Sequence, residues 1–183
     1  MNFIAFLLLG GFLLLSALRF GIPDMVSDIY YQLQNTTGSE VIGGKRRRNF
    51  GWVFSVVIVA VAALLMVGIL DTGQGIQCLA FLGCGGLAFV GLAPNYLQRD
   101  QYKIHKGGAT VAAVGCVGWC LSVCWWPTFI VLFAYALYLL AIDFFKVANG
   151  FWYISKDVRF HPWYWAEVAA FADVFVTYWT IIV

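Results

Sequence analysis

The sequence predicts an all-α polytopic membrane protein: a bundle of six transmembrane helices, a short interfacial helix on the cytoplasmic side, and both termini outside. Three observations predict it. Of the 183 residues, 62% are apolar and 11% charged, whereas soluble domains carry about 25% charged residues. Six segments, about 3–20, 50–70, 76–94, 107–126, 128–145 and 163–183, are mostly apolar and reach the roughly 17–25 residues that a spanning helix needs. All 11 Lys and Arg lie in the stretches 19–50, 94–106 and 146–162, so one orientation puts every basic residue on one face, the positive-inside arrangement that sets topology.

Taken in order, the first segment is short enough to invite reading as a secretory signal. It has no basic n-region and no small-x-small site after its apolar run, and is read as a retained helix. The following stretch carries Arg19 and the run Lys45–Arg48. Within it, Pro23 suits a first helical turn, and Met25, Val26, Ile29, Tyr30 and Leu33 share one face at helical spacing. This predicts a helix over 23–34 that lies in the inner interface or folds back against the bundle. Asn35–Thr36–Thr37 matches a glycosylation sequon but falls on the cytoplasmic side, where the match has no meaning.

The outer connections, Asp71–Gly75 and Trp126–Pro127, are short and carry no basic residue. Arg99, Lys103 and Lys106 occupy the second inner loop, and Lys146, Lys156 and Arg159 the third. Trp52, Trp152, Trp163 and Trp165 mark the inner headgroup level and Trp125, Trp126 and Trp179 the outer one, whereas Trp119 packs between helices. Spans three and four are rich in small residues (Gly83, Gly86 and Gly91; Gly108, Gly115 and Gly118), which let membrane helices approach closely. The chain is one domain over 1–183, and no internal repeat supports an inverted-repeat transporter.

The basic residues sit beside spans, not on a groove-binding helix, so nucleic acid is not an expected partner. Membrane lipids are, together with a small solute and a second copy packed through the small-residue faces. The compact loops place the chain in a bacterial cytoplasmic membrane. There is no phosphate-binding glycine loop, HExxH, GxSxG or glycosidase carboxylate pair, so a soluble-type enzyme has no support, and no cofactor is implied.

Ionisable groups within a bilayer are costly and mark functional candidates. Asp173 lies near the middle of the last span, where an ionised carboxylate costs about 2.5–3.5 kcal/mol. It must be protonated, hydrogen-bonded or facing a wet cavity. It is either the central polar group of a site or a neutral carboxyl bonded to another helix. Glu167, six residues earlier, is rotated from it by about 120°, which argues against a paired dyad; its place near a helix N-terminus favours a carboxylate on structural grounds. Asp143 closes the fifth span with Lys146 three residues on, a spacing for a local ion pair, or it lines an inward vestibule. His105 stands at the inner mouth of the fourth span, where it is an ordinary interface residue or an acid, base or proton relay. His161, before Pro162, is the weaker histidine. Cys116, Cys120 and Cys124 form one stripe that could attract a soft ion. Without a CxxC or a Cys/His cluster they are read as packing residues, and no metal is expected.

Ala93–Pro94–Asn95 at the end of span three, followed by His105 and by Gly108–Ala109 opening span four, is similar to small six-span Frag/DRAM-like membrane proteins of unknown activity. The order of spans fits across most of the chain. The resemblance implies a six-helix bundle linked to lipid or membrane homeostasis, and no reaction; the 24–31 segment and Asp173 fall outside its motif. Three readings of function stand. In the first, the protein binds or moves a lipid or small solute through a cavity open to the cytoplasmic side, with Asp173 central and Glu167, Asp143 and His105 near the mouth. In the second, it is an intramembrane lipid-modifying enzyme using His105, which requires a second group within about 3 Å of that ring. In the third, it is a non-catalytic structural or regulatory subunit.

Overall fold

A computed structural model of the chain describes residues 2–35, 50–148 and 160–182. Among the described residues every element is helical: α1 (Asn2–Phe20), a 3-10 turn (Val26–Asp28) running into α2 (Ile29–Asn35), α3 (Gly51–Leu70), α4 (Gln77–Leu92), α5 (Arg99–Val123), α6 (Trp125–Ala148) and α7 (Pro162–Ile182). The run Lys45–Arg48, the sequon beyond Asn35, Trp152, Lys156 and Arg159 lie outside the described residues, as does the side chain of Lys146.

Five helices, α1, α3, α5, α6 and α7, are long and apolar enough to cross a membrane. α4 is apolar but has 16 residues, about 24 Å of helix against a hydrocarbon core of about 30 Å. Pro94 bounds it, because the residue before a proline is driven from helical backbone; Ala93 accordingly sits at φ −117°, ψ 59°.

Two boundaries differ from the hydropathy reading. α5 starts at Arg99, well before the apolar run at Gly107. Arg, Lys and Gln are good helix formers and Asp100 in the first turn suits the helix dipole, so the helix continues where the hydropathy fails. The α5–α6 connection is the single residue Cys124, held extended at φ −155°, ψ 117°, and not a turn at Trp126–Pro127. Pro127 instead occupies the first turn of α6, where its missing N–H leaves no bond unmade.

The most extensive contact is α4 on α5, followed by α3 on α4. The glycines make the first possible. A Cβ added at Gly86 would lie 2.5 Å from the Ala112 nitrogen and 2.6 Å from the Gly108 oxygen, and one at Gly115 would lie 2.5 Å from the Gly83 nitrogen. These are backbone-to-backbone approaches that no side chain can share.

The helix expected over 23–34 starts only at Val26, because Met25 is extended at φ −139°, ψ 155°, so Pro23 precedes it and fills no helical turn. Of the two placements expected for the segment, the chain adopts the folded-back one. Val26 and Ile29 are buried, Tyr30 and Leu33 pack on the core, and the Tyr30 ring lies 6.4 Å from that of Phe54 on α3. Trp119 is fully buried as expected. It lies close to the end of α5, where its indole N–H donates to the Gln74 carbonyl at 3.0 Å and so ties the 71–76 connection down.

Candidate functional site

At the end of the bundle that carries Arg19, Arg99, Lys103 and Lys106, three pieces of chain converge: the Val26–Asp28 turn, the α4–α5 connection and the first turns of α7. His105 stands among them and is 8% exposed, so it is not the interface residue its lysine neighbours suggest. Because α5 begins at Arg99, His105 falls on the helix itself and turns into the bundle. Its Nδ1 is 2.8 Å from the Ala93 carbonyl oxygen, one of the helix-end acceptors that no backbone N–H of α4 can reach. A carbonyl only accepts, so Nδ1 carries the proton. In the neutral ring Nε2 is then the acceptor, and the buried Ser27 hydroxyl lies 3.0 Å from it, donating.

Two tyrosines flank this line. The Tyr96 ring lies 5.2 Å from that of His105, and its hydroxyl donates to Asp28 Oδ1. Asp28 Oδ2 in turn accepts the Met25 N–H at 3.1 Å. Tyr31 donates to Asn95 Oδ1 at 3.0 Å and accepts the Leu97 N–H at 2.9 Å. Burial first, and then the Asp28 carboxylate, raise the Tyr96 phenol above its usual pKa; burial raises that of Tyr31. Both phenols are therefore donors throughout the physiological range.

Beneath the Val26–Asp28 turn lies a partly open cavity of about 120 Å³. Apolar side chains from four helices wall it, among them Phe54 of α3, Leu87 of α4, Cys116 of α5 and Phe171 of α7. Among the described residues, only two lining side chains carry oxygen, Ser27 and Glu167. Glu167 reaches from α7 to accept the Val26 N–H at 2.8 Å, so a bond spanning 141 residues holds the turn over the cavity.

The four candidates are thus separated. His105 and Glu167 are brought to one neighbourhood, His105 behind Ser27 and Glu167 on the cavity wall. Asp173 does not line the cavity. It is 3% exposed, and its Oδ1 accepts the Thr128 hydroxyl of α6 at 3.0 Å and that of Thr177 at 3.5 Å. Asp143 is exposed on α6, a helix that contributes nothing to the cavity wall. His161 immediately precedes α7 at φ 45°, a region uncommon outside glycine, and its Nδ1 sits 3.1 Å from Asp24 Oδ1. Cys84 and Cys120 are buried and Cys116 is partly so. Among the described residues no three His, Cys, Asp or Glu groups meet as metal ligands would.

Sequence reasoning missed Ser27 and the Ala93 carbonyl. The one available signal for Ser27 was its place beside Val26, on a segment whose apolar face demanded burial.

No known protein family, curated protein or solved structure matches the chain.

Proposed function

We propose that this protein spans a bacterial cytoplasmic membrane six times with both termini outside, and binds the apolar part of a small amphiphile, a membrane lipid or lipid-like solute, in the cavity below the Val26–Asp28 turn. The observation that carries the proposal is the segregation of the cavity: apolar walls, with its two oxygen-bearing side chains, Ser27 and Glu167, together under the turn. The basic residues of this end face the cytoplasm under the positive-inside rule, so the polar mouth opens inward. An engineered apolar cavity of about 150 Å³ accepts benzene; at about 120 Å³, this one suits a chain end or a small apolar group rather than a whole acyl tail. The rest of the ligand extends through the open side.

The two halves of the short Frag/DRAM-like resemblance, Ala93–Pro94 and His105, meet in one hydrogen bond beside this cavity. A scaffold without a ligand accounts for the Asp173–Thr128 bond and leaves the cavity unexplained.

Native mass spectrometry in mild detergent tests the reading. The wild-type chain retains a defined lipid-sized mass, and Ala170→Phe, which fills the cavity from α7, loses it. Equal retention by the filled variant rejects the cavity as the binding site.

A further inference from the structure

His105 has a structural duty that accounts for only half of it. Satisfying the Ala93 carbonyl just past the end of α4 takes Nδ1, and any well-placed donor would do that. The other ring nitrogen is aimed at the hydroxyl of Ser27, on a segment 78 residues distant in sequence, and that serine lies on the cavity wall. The order is cavity, hydroxyl, imidazole, orienting acceptor. A nucleophile needs that order: an oxygen open to substrate, a base within hydrogen-bond reach of its proton, and a third group that fixes the base's tautomer. Here a backbone carbonyl takes the place that a carboxylate holds in serine hydrolases.

We infer that Ser27 and His105 are catalytic residues for hydrolysis of a carboxylic ester carrying a short or branched apolar group, presented from the cavity. The inference rests on the amphiphile-binding reading above. Ser27 Oγ forms a bond to the ester carbonyl carbon while its proton passes to His105 Nε2. The tetrahedral adduct collapses, the carbon–oxygen bond to the alcohol breaks, and the alcohol leaves with the proton from Nε2. Water then attacks the acyl-serine, giving its proton to Nε2, and Ser27 leaves with that proton. Ester and water become acid and alcohol, with no change of oxidation state. The Ala93 carbonyl holds the Nδ1 proton throughout, so that Nε2 is the nitrogen that exchanges.

The purified full chain is treated with an alkyl fluorophosphonate and, separately, with p-nitrophenyl butyrate. The expected result is one covalent adduct on the intact mass, mapped to Ser27, together with ester hydrolysis. Both vanish in Ser27→Ala. In His105→Gln hydrolysis slows by about 10²–10⁴-fold, the usual contribution of a general base. A cooperative melt in detergent like that of wild type establishes that both variants are folded, and a merely structural serine forms no adduct in any variant. Wild-type protein that retains lipid but forms no adduct at Ser27 overturns the ester chemistry and leaves the cavity reading intact. An adduct at Ser27 without retained lipid removes the lipid-binding reading alone. The wild-type adduct decides the matter even where a variant does not fold.

Discussion

Two buried polar clusters divide this bundle. Around Asp173, a carboxyl oxygen accepts hydroxyls from Thr128 and Thr177, and none of the three residues lines the cavity below the Val26–Asp28 turn. Around His105, the bonds run from the Ala93 carbonyl through the ring to Ser27 and stop at a cavity. In the first cluster both threonine hydroxyls end on the same buried Asp173 oxygen. The second ends on a surface that something else can touch. Intramembrane ionisable groups are good functional candidates because they are costly, but cost alone does not separate these two. The serine, the cheaper polar residue of the pair of clusters, is the one with access.

The comparison yields predictions in descending size. Both clusters hang on α5, which carries His105 directly and packs α7. Gly86→Leu forces a side chain into the Gly108–Ala112 backbone and should separate α4 from α5. Overpacking costs about 1–3 kcal/mol even where neighbours can yield, and this site lies at the upper end or beyond. Loss of the cooperative melt in detergent, with loss of retained lipid, is the expected outcome; a variant melting like wild type would show that the seam is not needed. Asp173→Leu leaves the Thr128 and Thr177 hydroxyls without their acceptor, a cost of about 1–3 kcal/mol. Asp173→Asn keeps an acceptor oxygen and should melt within about 1 kcal/mol of wild type. Retention of lipid by the Asn variant sharpens the distinction between the clusters, and its loss with the melt unchanged would return Asp173 to the site.

The smallest effect concerns Tyr96. Its pKa is raised in the folded chain by burial and then by Asp28, so it favours folding fully below the unfolded phenol pKa of about 10. As pH rises through that value the unfolded chain sheds the proton while the folded chain keeps it, and stability falls. Tyr96→Phe should flatten the alkaline limb of a melt-versus-pH curve, leaving the part due to the other buried phenols, Tyr31 among them. Identical limbs would disconnect Tyr96 from the network.

Much of the architecture was legible because apolar length, charge sidedness and small-residue content are local properties. The five long helices, the α4–α5 glycine contact and the buried face of Val26 and Ile29 follow from runs and spacings in one stretch of sequence. The start of α5 did not, because Arg99, Asp100, Lys103 and Lys106 lower hydropathy without lowering helix propensity. The candidate site was half legible. His105 and Glu167 stand out by side-chain chemistry. Ser27 does not, since a serine is unremarkable until a partner 78 residues away is placed against it, and the Ala93 acceptor is a backbone oxygen that any residue possesses.

The bond from the Val26 amide to Glu167 gives the molecule an internal clock. An amide held inside its own helix exchanges its hydrogen when that helix frays, but this one is held by a carboxyl oxygen from the far end of the chain. It exchanges when the turn over the cavity lifts away from α7, a local opening that requires no helix to melt. Deuterium uptake at this single position therefore measures how often the chamber below is uncovered.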